Sequence, residues 1–325
     1  MPSPSTPHSL IILDDYQGAA QQFADWSSLS HLPTTILRDP IPPSELVSIL
    51  LPYTIIHANR ERTKLPRSVL EQLPNLKFIA TTGHRNRGID LVAAKELGIV
   101  VSGTGRQGGH TSTGTVEQTW ALILALARRV REEHESVRSG GWQTGVATGL
   151  MEKTLGLIGV GNLGTEVAQV GKAFEMKVQG WSPNFTQARA DDAGVGFALS
   201  LEELLKTSDV VSIHIVSSDS TRGLLGKEQL ALLKPSAILV NTSRGPIVDE
   251  EALLDVLRRG AIRGAGLDVF NEEPLAKDHP VRTLDNVVLS PHMGYVEDNS
   301  YDSWWPQSVE NIQAFLAGEP IRVLS

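Results

Sequence analysis

The sequence predicts an α/β protein built on parallel sheets, and three observations carry that prediction. Short apolar runs alternate with amphipathic stretches along the chain, the pattern of successive βαβ units. The runs fall into two series separated by a glycine-rich stretch, Gly103 to Gly114. One run leads directly into a Gly-x-Gly-x-x-Gly sequence that opens an amphipathic stretch.

The chain begins MPSPSTPHSL, which has neither the apolar core of a signal peptide nor the arginines of a transit peptide. The first few residues are expected to be a mobile leader and the protein to be cytoplasmic. Strands are expected at 9–13, 54–57, 77–81 and 98–101. After the glycine-rich stretch, Val116, Trp120, Ile123, Leu124, Ala127 and Val130 recur at helical spacing. Leu122 and Leu126 make this helix apolar nearly all round, which predicts burial between domains or subunits. The second series of strands is expected at 155–159, 177–181, 209–215, 237–242, 264–269 and 286–290. Ser200 with Glu203 forms a capping box ahead of Leu204 and Leu205. Residues 249–260 open with Asp249, Glu250 and Glu251 and close with Arg258, Arg259 and Gly260, matching the helix dipole and a glycine end. Pro306 marks the start or the interruption of a last helix through Leu316, ended by Gly318.

A chain of 325 residues suits two domains, at about 100–200 residues each. It contains no cysteine, which excludes disulfides, thiolate nucleophiles and cysteine-bound metal centres. The longest apolar run, Trp120 to Ala127, has eight residues, against the roughly 20 needed to cross a bilayer. A net charge of −8 argues against nucleic acid or anionic membrane as partners. No pair of histidines has metal-ligand spacing, so no metal is expected; His214 reads as structural.

Gly159, Gly161 and Gly164 stand directly after an apolar strand, and Val167, Val170 and Phe174 mark one face of the helix that follows. The first glycine permits a tight turn and the second lets the backbone approach a pyrophosphate. The third lets helix and strand pack closely, with the helix N-terminus facing the anion. This context points to dinucleotide binding. A carboxylate about 20 residues on would bind the ribose hydroxyls of NAD. Ser182, Pro183 and Asn184 stand there instead, so nothing repels a 2′-phosphate, and Arg189 is near enough in sequence to reach one. NAD and NADP both remain open, with the balance towards NADP.

In open α/β sheets ligands lie beyond the carboxyl ends of the strands. Three later strands are followed there by Arg244, by Glu272 and Glu273 before Pro274, and by His292. An arginine can fork to a carboxylate and polarise a carbonyl. A histidine exchanges protons near neutrality, and a glutamate bonded to it fixes its tautomer. Singly, each has a plainer reading: a strand-end bond, a turn cap, a core histidine. Together, beside a dinucleotide loop, they suit hydride transfer to a carbonyl.

The chain resembles the D-isomer-specific 2-hydroxyacid dehydrogenases over nearly its whole length. The motifs are GxGxxG at 159–164, NTSRGPIVDEEAL at 241–253, GLDVFNEEPL at 266–275 and LSPHMGY at 289–295. The resemblance implies Arg244, Glu273 and His292 as catalytic residues; formate dehydrogenases carry glutamine in place of that glutamate. It implies cofactor contacts at Asn162 and Leu163 in the glycine loop, at Ser182 and Asn184, at Ile215, Val216 and Thr242, and at Asp268 beside the nicotinamide carboxamide. Its substrate loop, G-x-G-x-D-N-x-D, matches Gly83 to Asp90, which implies substrate contacts at His84 and Arg85 in addition to Arg244 and His292. Here Arg85 replaces the second glycine and Arg87-Gly88 replaces Asp-Asn, adding positive charge.

The resemblance further implies a Rossmann dinucleotide-binding domain, 105–292, inserted into a smaller flavodoxin-like domain made of 1–104 and 293–325. Hinges would lie near Gly103–Gly109 and Met293–Val296, and a homodimer would form. The implied reaction is reduction of a 2-keto acid to a D-2-hydroxy acid by NAD(P)H, with a co-repressor-like dinucleotide sensor as the alternative. Tyr295, Tyr301, Trp304 and Trp305 either rim the substrate pocket or belong to a core, with core favoured for at least two of them. Trp142 matches a position that reaches a neighbouring subunit in some relatives.

Overall fold

The computed structural model describes residues 7–105 and 113–324. Residues 1–6, where a leader is expected, and most of the hinge expected at Gly103–Gly109 lie outside the described residues. The chain divides into two compact units, Met1–His110 with Asp298–Ser325, and Thr111–Glu297.

The first unit holds β1 (Leu10–Ile12), β2 (Thr34–Ile36), β3 (Ile55–Ala58), β4 (Phe78–Thr81) and β5 (Val100–Ser102). They form one parallel sheet in the order β2-β1-β3-β4-β5, the flavodoxin-like order. β1, β3 and β4 are buried along their whole length, as expected for parallel strands covered on both faces. The apolar pattern does not predict β2. It is a three-residue edge strand after Pro33 that pairs with β1, so neighbour pairing rather than an apolar run defines it. The helix Asp298–Leu316 belongs to this unit and runs unbroken through Pro306, so the proline neither starts nor interrupts it, contrary to the sequence expectation. Tyr301, Trp304 and Trp305 are buried core residues of this helix, and Trp305 stacks on the buried His57 with ring centroids 4.6 Å apart.

The second unit holds β6 (Thr154–Ile158), β7 (Lys177–Trp181), β8 (Gly196–Phe197), β9 (Val210–Ile213), β10 (Ile238–Asn241), β11 (Gly264–Leu267) and β12 (Val287–Leu289). Their order is β12-β11-β10-β9-β6-β7-β8, all parallel, which is the Rossmann order extended by one strand. β8 is likewise absent from the sequence expectations, because two residues leave no pattern to read. The capping signals act as expected: Ser200 Oγ accepts from Glu203 N at 3.1 Å, and Asp249 accepts from Ala252 N at 2.8 Å.

The apolar helix differs from its prediction in two ways. It spans Thr113–Ala127 and stops before Arg129, whose φ of 58° breaks the run. Val130, assigned to the apolar face, instead opens the next helix, Val130–Arg138, and is 55% exposed. The remaining named apolar side chains pack within their own unit, over β10 and β11, all buried except Leu124, which is half-buried. Gly264 and Gly266 make room for them: a Cβ on Gly266 would lie 2.9 Å from Leu122 Cβ. Among the described residues no helix is long and apolar enough to cross a membrane.

Candidate active site

The glycine loop follows β6, whose neighbours are β7 and β9, so it sits where the strand order reverses. Gly159 has φ +100°, and a Cβ there would lie 2.7 Å from Ile215 N. A Cβ on Gly164 would lie 2.2 Å from Gly159 O. Both glycines are therefore required by local packing alone. A Cβ on Gly161 would meet nothing within 4 Å. The loop is packed tightly on its inner side and open at Gly161, where the helix Asn162–Ala173 begins with its backbone N–H groups. That open cradle at a helix N-terminus fits a dinucleotide pyrophosphate.

The other cofactor residues named from the sequence lie along the same sheet edge. Ser182 and Asn184 follow β7, and Arg189 Nη1 donates to Asn184 O at 3.4 Å, with its guanidinium 5.8 Å from the Phe185 ring. Ile215 and Val216 follow β9; Val216 is 61% exposed, and Ser243 Oγ donates to Ile215 O at 2.6 Å. Thr242 follows β10, with its hydroxyl 2.8 Å from that of Thr119. His214 is bonded to Ser212 Oγ at 2.8 Å, and burial pushes its imidazole down to about 4, in keeping with a structural role.

Arg244 stands three residues past β10, on a turn pinned by Asn241. The Asn241 amide donates to Arg244 O and its Oδ1 accepts from Ser243 N, both at 3.0 Å. Gly245 packs so closely that a Cβ would lie 2.2 Å from the Phe270 carbonyl carbon, which sets the Arg244 turn against the Glu273 loop. Glu273 Oε1 accepts from Phe270 N at 2.9 Å, and Oε2 lies 2.6 Å from His292 Nδ1. Burial opposes ionisation of Glu273. The hydrogen bond and charge of His292, the Phe270 N–H and the charge of Arg244 outweigh it and hold the carboxyl below the usual range. Tyr295 meets His292 edge-on, with centroids 5.3 Å apart.

The contacts of Asp268 are ones the sequence did not indicate. Its carbonyl oxygen accepts from His292 N at 2.7 Å, Oδ1 accepts from Met293 N at 2.8 Å, and Oδ2 accepts from Gly294 N at 3.0 Å. One buried residue thus holds three consecutive amides and fixes His292 with φ 54°. Burial raises the Asp268 carboxyl, against the Ser290 hydroxyl and the two N–H groups that lower it. The glycine after His-Met is the one sequence signal for this arrangement.

His84 and Arg85 belong to the first unit, on the loop after β4, and both are exposed. This loop keeps its shape without the second family glycine because Asn86 is buried and pins it. Asn86 Nδ2 donates to Thr81 Oγ1 and Asn86 Oδ1 accepts from Gly88 N, both at 2.8 Å. Among the described residues no three His, Asp or Glu side chains gather as a metal site would require.

Residues 120–294 match the NAD binding domain of the D-isomer specific 2-hydroxyacid dehydrogenases. A glyoxylate reductase of Aeropyrum pernix is 42% identical over 260 residues, 77% of this chain and 76% of that protein. A D-3-phosphoglycerate dehydrogenase of Methanocaldococcus jannaschii is 38% identical over 262 residues, 80% of this chain but only 49% of that longer protein. The crystal structure of a phosphoglycerate oxidoreductase from Vibrio cholerae superposes with a TM-score of 0.89 at 32% identity, covering 96% of this chain and 99% of that one.

Proposed function

Because the chain belongs to the D-isomer specific 2-hydroxyacid dehydrogenases, we propose that it reduces a small 2-keto acid to the D-2-hydroxy acid, with Arg244, Glu273 and His292 as catalytic residues. The observation that carries this reading is the 2.6 Å bond between Glu273 Oε2 and His292 Nδ1 at the carboxyl edge of the dinucleotide-binding sheet. An ionised Glu273 accepts from Nδ1–H and holds the ring in one tautomer, so proton exchange with the substrate oxygen runs through Nε2. The same carboxylate stabilises the imidazolium from which that proton is delivered. Arg244 binds the substrate carboxylate and polarises the adjacent ketone. The reduced nicotinamide, when bound, supplies the hydride.

Gly159 to Gly164 would hold the pyrophosphate, with Ser182 and Asn184 near the ribose. NADP is the favoured coenzyme. No carboxylate occupies 182–184, and Arg189 lies beside Asn184. Glyoxylate and hydroxypyruvate head the candidate substrates, in line with the glyoxylate reductase relative. A cytoplasmic homodimer is part of the same proposal, with Trp142, 76% exposed, on the dinucleotide-binding unit. The test is a steady-state screen of glyoxylate, hydroxypyruvate, phenylpyruvate and branched 2-keto acids with NADH and NADPH, scoring product configuration for all but glyoxylate, whose product glycolate is achiral. Turnover is expected, with the D-product wherever the product is chiral. Coenzyme binding without turnover of any of these acids would overturn the proposal.

A further inference from the structure

In the helix Thr113–Ala127 the polar side chains at 115, 118 and 119 have the i, i+3, i+4 spacing of a single helical face. Each one reaches a different part of the site. Thr115 Oγ1 donates to Gly294 O at 2.7 Å, Gln118 Nε2 donates to Ser290 Oγ at 2.8 Å, and Thr119 Oγ1 lies 2.8 Å from Thr242 Oγ1. Residues 290 and 294 bracket His292, and Thr242 is two residues from Arg244. Glu117, between them, is exposed, whereas the stripe of Thr115, Gln118 and Thr119 is spent on the loops that carry the proposed chemistry.

The direction of the hydrogen bonds matters. The Gln118 amide nitrogen can only donate, so at Ser290 it occupies a lone pair and leaves the single hydroxyl proton to point elsewhere. That proton goes to Asp268 Oδ1. Asp268 stays a pure acceptor and receives Met293 N and Gly294 N on its two oxygens. Without the donor from 118, the Ser290 hydroxyl is free to rotate, and its bond to the buried Asp268 carboxyl is no longer enforced. The three-amide latch beneath His292 would then loosen.

We propose that Gln118 is a positioning residue for His292, acting through Ser290 and Asp268 on the backbone of residues 292–294. This inference rests on the reading of His292 as the general acid–base. Gln118→Met removes the donor at similar volume, Gln118→Glu keeps the shape but not the donor, and Ser290→Ala removes the relay.

Each variant is expected to lower kcat by roughly ten-fold or more, with the Kd for reduced coenzyme, followed by fluorescence titration, and the Tm little changed. The Gln118→Met/Ser290→Ala double variant is expected to be no worse than Ser290→Ala, because both act along one chain of bonds. Additive losses, an unchanged kcat in Gln118→Glu, or a parallel collapse of Tm and coenzyme affinity would overturn the assignment. A second readout is independent of turnover. The Nδ1 proton of His292, identified in the NMR spectrum by its absence in His292→Gln, should exchange faster with water in Gln118→Met than in the wild type. If that proton responds while the wild type reduces no 2-keto acid, the functional reading fails and the positioning stands. If the wild type is active and neither kcat nor the proton responds, the positioning fails alone.

Discussion

His292 Nδ1 and Glu273 Oε2 lie 2.6 Å apart although 19 residues separate them in the chain. The carboxylate is bonded on its other oxygen by Phe270 N, so it cannot rotate away without breaking a second contact. Replacing His292 by Ala should lower kcat at least 10²-fold, roughly what a positioned acid–base contributes, while coenzyme affinity changes little. Glu273→Gln keeps the shape but offers its amide or carbonyl to Nδ1 in either tautomer, and should also lower kcat with KM nearly unchanged. Rapid-mixing kinetics with coenzyme titration separate the two quantities. Wild-type kcat in His292→Ala would remove the histidine from the mechanism.

Coenzyme choice can be reversed at one position. Ser182→Asp places a carboxylate where a 2′-phosphate would lie and where ribose hydroxyls would otherwise be bound. The Kd for NADPH should rise by about ten-fold or more, one charge pair at close range being worth over 1 kcal/mol, while that for NADH falls or holds. Arg189→Ala should weaken NADPH alone. Equal changes for both coenzymes would exclude the ribose assignment.

The glycine loop offers a contrast between packing and ligand binding. A Cβ at Gly164 collides with Gly159 O at 2.2 Å, so Gly164→Ala should lower Tm and coenzyme affinity together. Gly161 faces open space, so Gly161→Ala should fold with an unchanged Tm yet bind coenzyme poorly. Calorimetry and fluorescence titration on the pair read this out; a Gly161→Ala protein with full affinity would count against pyrophosphate binding at that point.

Acid stability should be set in part by two buried imidazoles. Burial pushes His57 down to about 3 and His214 down to about 4 from the ordinary 6.5. Below pH 6.5 the unfolded chain takes up protons that the folded chain refuses, so stability falls with pH. The slope is at most about 1.4 kcal/mol per pH unit for each histidine. It ends where the folded groups themselves protonate, near 3 and 4. His57→Gln should flatten the dependence of Tm on pH between 6.5 and 4. An unchanged slope would show that His57 does not contribute.

The strands with long buried runs, such as β9 and β10, were legible in the sequence because burial on both faces leaves a continuous apolar signature. β2 and β8 were not, since pairing with a neighbour defines them and a single sequence carries no trace of that. Arg244, Glu273 and His292 were legible as a group because each follows a strand within a family motif. The stripe Thr115, Gln118 and Thr119 was not. Polar residues in a largely apolar helix read as gaps in the pattern, and only their distant partners set these three apart from the exposed Glu117. The latch at Asp268 was hidden for a related reason: backbone amides, which every residue has, are most of what it binds.

Position 292 also pulls folding and chemistry in opposite directions. A histidine held at φ 54° carries backbone strain of about 1–3 kcal/mol that glycine would not. Glycine there would relax the turn and remove the ring. Three amides converging on Asp268 are what make the strained conformer the populated one. A sequence chosen for stability alone would place glycine at this turn, so under the proposed role of His292 the imidazole is a conformational cost accepted for its proton chemistry.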